Sequence, residues 1–421
     1  MRILWLKTEL LHPVDKGGKI RTYHMLKELK REHQITYLTL DDGSAPSNAA
    51  EQASEYCHEL IRIPHRTSPK FSVAFYSELA LNSLSMLPYA IKKYVSRQMR
   101  EELVRQVSLG RHNVVVCDFL APAGNVPPNL PCTKILFQHN VEAMIWQRHF
   151  QVQSNWLKRK YLRNQWRKMR TFEREASLRF DAVVAVSKED RETIRREYGI
   201  ENVFDIPTGV DVDFFRPSRS SSEEPNNLVF TGSMDWLPNE DGVRYFTEEI
   251  MPQIRREIPK VTLTIVGRNP YPGLLELSRR DKSITVTGRV DDVRPYIEKA
   301  SAYIVPLRIG GGTRLKIYEA MAMEKAVIST TVGAEGLPVK NREELILADT
   351  NESFAQAVIR VLRDQKFASE LGQRAARTVR ERFGWHQVAE DFARICERTL
   401  SLTSTKALVT GNETLEPASS R

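Results

Sequence analysis

The sequence predicts two doubly wound α/β domains in tandem, and three observations carry that prediction. At 421 residues the chain exceeds the size at which one hydrophobic core stops growing. Short apolar runs alternate with helical segments, the pattern of a parallel sheet covered on both faces. That alternation pauses at a polar stretch rich in serine and proline, residues 216–227, and then restarts. The expected division is a first domain over 1–210, a linker over 211–226 and a second domain over 227–384. Residues 401–421 are polar and unpatterned, and are expected to be disordered.

The elements follow in order. Residues 2–7 (RILWLK) open as a strand, 18–32 form a helix, and 34–40 (QITYLTL) form a second strand. Residues 43–55 are small and polar and suit a loop, and 59–64 a short strand. Residues 71–108 read as helices broken at Leu87-Pro88, since proline lacks the amide donor and biases its predecessor away from helix. Residues 113–117, 134–139 and 182–186 are further buried-type strands. In the second half, strands are expected at 228–231, 261–266, 284–287, 303–305 and 326–329, with a helix over 238–257. In such sheets ligands sit at the carboxyl ends of the strands.

Composition narrows the class. Hydrophobic residues make up 41% and charged residues 27%, as in an ordinary soluble globular protein. No apolar run approaches the roughly 20 residues of a membrane span, and the N-terminus lacks a signal-peptide core. Cys57, Cys117, Cys132 and Cys396 are scattered without metal spacing or a disulfide framework, so a cytoplasmic location and no metal site are expected. The net charge of +9 is uneven: residues 1–200 hold 32 Lys and Arg against 21 Asp and Glu. Much of the excess lies in Lys158 to Arg174, where eight cations accompany Glu173 and interleave with Trp166, Leu162 and Met169. This is a basic amphipathic helix. It either packs its aromatic side onto its own domain, the cation stems covering core edges, or lies on an anionic membrane at the inner face of the plasma membrane. No nucleic-acid motif accompanies the charge, and nucleic acid is not an expected partner.

The chemistry-bearing segment is Ile304 to Leu337. An apolar strand runs into Gly310, Gly311, Gly312 and Thr313, then a helix, then a second strand. A glycine loop feeding a helix start makes an anion pocket from bare amides and the positive helix end. Arg314 and Lys316 add full charges, and Glu319 follows on the same helix. A phosphate-bearing ligand with hydroxyls nearby fits this set. Gly17 and Gly18, between the first strand and first helix, form a second close-approach turn. His139 ends an apolar strand in the sequence Q-H-N-V-E, with Asn140 placed to cap the next helix and Glu142 in its first turn. Asp118 ends the preceding strand, either as a site residue or as a cap.

Glu319-Ala320-Met321-Ala322 resembles the second half of the donor-binding signature of retaining glycosyltransferase family 4. That family has the GT-B fold, two Rossmann-like domains facing each other across a cleft. The resemblance implies that Glu319 grips the nucleotide ribose. The first glutamate of the family's pair, which contacts the sugar or its leaving group, would fall at Gly311, and this chain departs there. His139 resembles the histidine that contacts the transferred sugar, and Gly17-Gly18 the glycine pair over the donor diphosphate. Thr287-Gly288-Arg289-Val290 resembles the turn that holds the base, largely through backbone groups, which favours UDP and leaves GDP open. Val186-Ser187-Lys188 and Ile206 to Asp211 resemble two structural landmarks. At Phe230 to Met234 the family supplies an arginine and, shortly after, a lysine to the diphosphate. Here Ser233 takes the arginine's place and Asn239, Glu240 and Asp241 lie near the lysine's. Arg314, Lys316 and Arg268 are the candidate replacements, and Glu335 is a further acid within reach of the cleft.

The resemblance implies retaining transfer of a sugar from a UDP- or GDP-sugar donor to a glycan or lipid-linked acceptor, in polysaccharide or cell-envelope biosynthesis. It implies no metal and no cofactor, the nucleotide-sugar being a substrate. It also implies that a helix over 385–400 crosses back to the first domain. Two alternatives stay open: a nucleotide-sugar epimerase on the same fold, and an inactive nucleotide-sugar-binding scaffold.

Overall fold

The computed structural model describes the chain except for residues 16, 70, 219–221, 310–314 and 414–421, and the side chains of 152 and 406–413. The chain forms two compact units, Met1–Pro207 with the residues from Val388 onward, and Thr208–Gln387.

The first unit is built on seven parallel strands: β1 (Arg2–Lys7), β2 (Gln34–Asp41), β3 (Glu59–Pro64), β4 (Val114–Asp118), β5 (Thr133–Phe137), β6 (Ala182–Ala185) and β7 (Val203–Asp205). They lie in the order β3-β2-β1-β4-β5-β6-β7, with Leu6 opposite Cys117 across the β1–β4 pair. The strands are apolar on both faces because helices cover both, and β4 and β5 are buried throughout. The second unit repeats the plan with β8 (Asn227–Thr231), β9 (Thr262–Val266), β10 (Ile284–Gly288), β11 (Ala302–Val305), β12 (Val327–Ser329) and β13 (Ile346–Leu347). Their order is β10-β9-β8-β11-β12-β13, again parallel. In each unit the chain winds outward from a central strand, then returns to that strand's other side. The switch falls between β1 and β4 in one unit and between β8 and β11 in the other, and the crevice at a switch point is where such folds bind ligands.

Five features depart from the sequence expectation, the first being that Ala49–Gln52 and Ala53–Glu55, expected within a loop, form a helical turn and a 3-10 turn. The edge strands β7 and β13 have three and two residues, too few to show a period. The C-terminal end of the expected 211–226 linker is tied to the second unit: Glu224 N–H bonds Lys299 O at 2.7 Å and Glu223 pairs with Lys325 at 3.2 Å. The helix starting at Leu237 contains a π turn at Phe246–Ile250, where Met251 N–H reaches back to Phe246 O just before Pro252. A π turn spares the chain the clash between a proline ring and the carbonyl four residues earlier. The disorder expected from residue 401 is corrected at its start, because the C-terminal helix runs Trp385–Glu413 and Thr403 Oγ1 lies 2.7 Å from Thr133 Oγ1. This helix is held by packing, with Phe392 centred 5.6 Å from Trp5 and 5.2 Å from Phe137. Among the described residues no helix is long and apolar enough to cross a membrane.

Candidate functional site

The first unit gathers its polar groups at the β1–β4 switch. Asp118, closing β4, is fully buried and caps nothing, contrary to one of its two expected roles. Its Oδ2 accepts from Lys7 Nζ at 2.8 Å, from Thr22 Oγ1 at 2.6 Å and from Trp5 Nε1 at 3.1 Å. His139 Nε2 lies 2.7 Å from its Oδ1, poorly aligned for a hydrogen bond, and His139 Nδ1 has no hydrogen-bond partner. Burial raises the Asp118 pKa, but Lys7 and then His139 outweigh it, and the carboxyl stays well below the usual carboxylate range. His139 is dominated by burial, which lowers it to about 3 against the pull of Asp118. The imidazole is therefore neutral and the carboxylate ionised. Arg21, buried on the helix after β1, is lowered to about 10 by burial, with Asp118 and Asp190 opposing.

His139 stands where the sequence placed it, at the end of β5, but enclosed: it is 4% exposed and stacks on Phe119 with ring centres 3.7 Å apart. Phe119 adopts φ 73° and lies under the Gly17–Leu29 helix. A Cβ on Gly18 would come within 2.7 Å of Phe119 Cζ, so Gly18 has a packing reason of its own. Gly18→Ala is expected to destabilise the protein by about 1–3 kcal/mol, since the ring must shift; urea unfolding measures this. His139 also sets an acid sensitivity. Between about 6.5 and 3 the unfolded chain binds a proton that the folded imidazole refuses. Stability from this group is complete above pH 6.5 and falls as pH drops, by up to about 1.4 kcal/mol per unit. Denaturant titrations over that range should show a shallower slope for His139→Gln.

Asn140 does not cap the following helix. Val141 is its N-cap and offers no side-chain bond, while Glu173 takes the amides of Glu142 at 2.8 Å and Ala143 at 2.9 Å. Gln138 Nε2 at 3.0 Å and Tyr198 Oη at 2.7 Å complete the acceptance by Glu173. Burial, then the nearby Glu173, pushes the Glu142 carboxyl up to about 7.

The second unit gathers its groups at the β8–β11 switch. The backbone passes very close here: a Cβ on Gly267 would fall 1.7 Å from Gly232 O. Ser233 Oγ accepts from Arg268 Nε at 2.9 Å, and Asn239 Nδ2 donates to Ser233 O at 2.8 Å. Lys316, at the start of the Leu315–Ala322 helix, donates to Asn239 Oδ1 at 2.8 Å and stands 4.3 Å over the Phe230 ring. A Cβ on Gly232 would lie 2.7 Å from its Nζ. Lys316 and Arg268 are thus brought to one turn, the turn where Ser233 replaces the arginine of the resembled pattern. One helical turn beyond Lys316, the Glu319 carboxyl is pushed up to about 7 by burial, with Lys316 pulling the other way. Gly288 ends β10 at φ 71° with open space where a Cβ would be, and its carbonyl accepts from Gly267 N at 3.1 Å. Arg289 beside it is exposed, and Val290 packs at the edge of the core. Glu335 is exposed. Gly310, Gly311, Gly312, Thr313 and Arg314 lie outside the described residues.

Sequence reasoning missed Trp5, Lys7, Thr22, Glu173 and the specific part of Asn239. Lys7 had a legible signal, a lone cation closing an otherwise apolar strand at the carboxyl end of the sheet. The others act through partners far along the chain.

The family described as "Glycosyl transferases group 1" matches residues 225–364, and "Glycosyltransferase Family 4" matches residues 130–214. The chain is a glycosyltransferase of the GT-B fold. Sucrose-phosphate synthase from Thermosynechococcus elongatus superposes with a TM-score of 0.67 at 17% identity, covering 95% of this chain and 99% of that one. Alr3699/HepE of Anabaena, whose structures include complexes with UDP and with UDP-glucose, superposes with a TM-score of 0.66 at 12% identity, covering 94% and 100% in its UDP complex. An uncharacterised 44.6 kDa protein in the cps region of Klebsiella pneumoniae is 23% identical over 59% of this glycosyltransferase, which spans 65% of that relative's length.

Proposed function

We propose that this glycosyltransferase is a retaining, family 4 enzyme that moves a sugar from a nucleotide-sugar donor to a glycan or lipid-linked acceptor in polysaccharide assembly. The observation that carries the proposal is the convergence of Lys316 and Arg268 on the β8–α turn beside Gly232. Two cations at a switch point, beside a backbone stripped of side chains, suit a diphosphate. Glu319, one turn along the same helix, takes the ribose hydroxyls, and the turn at Thr287 to Val290 takes the base. UDP is the favoured base because a fold relative is seen with UDP and UDP-glucose; GDP is the alternative. The cps-region relative supports a polysaccharide product.

In the reaction, the bond from the anomeric carbon to the diphosphate oxygen breaks and a bond from that carbon to an acceptor oxygen forms on the same face. The acceptor's proton passes to the leaving phosphate. Lys316, Arg268 and Arg314 stabilise the charge developing on the diphosphate, the kind of fixed electrostatic assistance that usually contributes most. They take the role a metal would otherwise have, and no metal or other cofactor is invoked. His139, neutral and held by stacking on Phe119, serves the first unit's acceptor side as an uncharged group. The cations of Lys158 to Arg174 place the enzyme at an anionic membrane, on its cytoplasmic face.

Thermal-shift and calorimetric titration with UDP, GDP, ADP and their sugar conjugates tests the donor site, with Arg268→Ala expected to weaken binding at least tenfold, about 1.4 kcal/mol. Turnover with a supplied acceptor then separates the outcomes: a glycoside supports transfer, while an isomerised donor points to an epimerase. The absence of an acid at Gly311 and of a cation at Ser233 favours a second reading, an inactive scaffold. Absence of binding by every nucleotide would put that reading first.

A further inference from the structure

The helix Val73–Asn82 has its burial inverted. Its sequence, VAFYSELALN, is apolar, yet its one buried residue is the polar Asn82. Around it Phe71 is 78% exposed, Val73 87%, Leu81 65%, Leu84 87% and Met86 86%. Soluble surfaces rarely expose so much contiguous apolar area without a partner. Asn82 explains why the helix sits this way round. Its Oδ1 accepts from Gln165 Nε2 at 2.9 Å, its Nδ2 donates to Leu87 O at 3.0 Å, and its carbonyl accepts from Lys168 Nζ at 2.6 Å. Gln165 Oε1 also accepts the Tyr89 amide at 2.8 Å. These bonds hold the apolar helix outward and fasten it to the basic helix Trp156–Arg179.

That second helix contributes the matching charge. Its first turns expose Trp156 at 70% and Leu157 at 59%, together with Lys158, Arg159, Lys160, Arg163 and Arg167. The acid on the apolar helix, Glu78, is engaged by Ser68 and Tyr89 and leaves the cations unopposed from that side. Exposed apolar side chains flanked by a row of cations fit one partner, the interface of an anionic bilayer, with apolar groups among the acyl chains and cations at the headgroups.

We propose that residues 71–86 insert into an anionic membrane, with the 156–167 stretch of the basic helix clamping the headgroups. This rests on the membrane contact of Lys158 to Arg174 proposed above and goes beyond it, from surface attraction to insertion. The aromatic rim at Trp156 then marks the depth of seating.

Flotation with phosphatidylglycerol-containing vesicles and with pure phosphatidylcholine vesicles, at low and high salt, tests it on the full chain. The wild-type enzyme is expected to float with anionic vesicles and to retain part of that binding in high salt. The double variant Leu84→Ser, Met86→Ser is expected to lose at least tenfold in vesicle affinity and all salt-resistant binding, with its thermal midpoint unchanged. Arg159→Glu with Lys160→Glu is expected to lose binding at low salt. If the serine variant binds as wild type while the charge variant does not, insertion is overturned and surface attraction stands. If the wild type binds neither vesicle, both are overturned. If the wild type self-associates and the serine variant is monomeric without either floating, the apolar face belongs to a second copy and the proposal fails.

Discussion

Asp118→Ala is expected to lower stability by about 3–5 kcal/mol, the cost of leaving a buried charge without its partner. Lys7 is 2% exposed and Asp118 is fully buried, so removing the carboxylate strands the ammonium with the Thr22 hydroxyl as its remaining hydrogen-bond partner at 2.9 Å. Trp5 Nε1 loses its acceptor in the same step. For a unit of this size the thermal midpoint should fall by roughly 6–20 °C. Asp118→Asn should recover little, because a neutral amide does not balance Lys7. Pairing Asp118→Leu with Lys7→Met should recover much of the loss, since apolar replacement of a whole buried pair is often neutral or stabilising. A loss under about 1 kcal/mol in Asp118→Ala would mean that Lys7 finds water on opening, and that the hub is not what holds the β1–β4 switch together.

Glu319→Ala and Lys316→Ala are each expected to weaken donor binding and turnover by at least tenfold, about 1.4 kcal/mol. Lys316 is held by Asn239 Oδ1 and the Phe230 ring, so its charge is fixed before ligand arrives and little is spent on ordering it. Glu319 adds a pH signature. Its carboxyl is raised to about 7 by burial, and a ribose hydroxyl donates best to the ionised form. Nucleotide affinity should therefore strengthen as pH rises through about 7, and Glu319→Gln should flatten that rise. Stability runs the other way. A carboxyl raised in the folded state contributes fully below its ordinary value near 4.5, and that contribution is lost as pH climbs through about 7. Calorimetric titration of UDP from pH 6 to 8, beside unfolding curves at the same pH values, reads both trends. Wild-type affinity for every nucleotide unaltered by either substitution would remove the second-unit cluster from the donor site.

The tandem α/β architecture and the glycosyltransferase chemistry were legible in the sequence because both rest on local patterns. Buried parallel strands are runs of apolar residues wherever they occur, and the segment around Glu319 concentrates glycine, cations and an acid within a few turns of chain. Edge strands as short as β13 carry no such pattern, and the helix from Trp385 continues past residue 400 through weak helix formers, where Thr403 meets Thr133 from far along the chain. The clusters themselves were decided by tertiary structure. Arg268 and Lys316 lie far apart along the chain and meet because Gly232 and Gly267 let two backbone segments touch. His139 was visible as a strand-end histidine, but its neutrality comes from enclosure against Phe119 and the loss of solvent, which outweigh the pull of Asp118. Asn140 had the right chemistry for a cap, and Glu173 displaced it from across the fold. Residue types and their spacing therefore determined the fold class and the ligand class proposed for this protein. Which charges are buried, which are paired, and which apolar side chains are left facing outward depended on contacts between segments that no local pattern encodes.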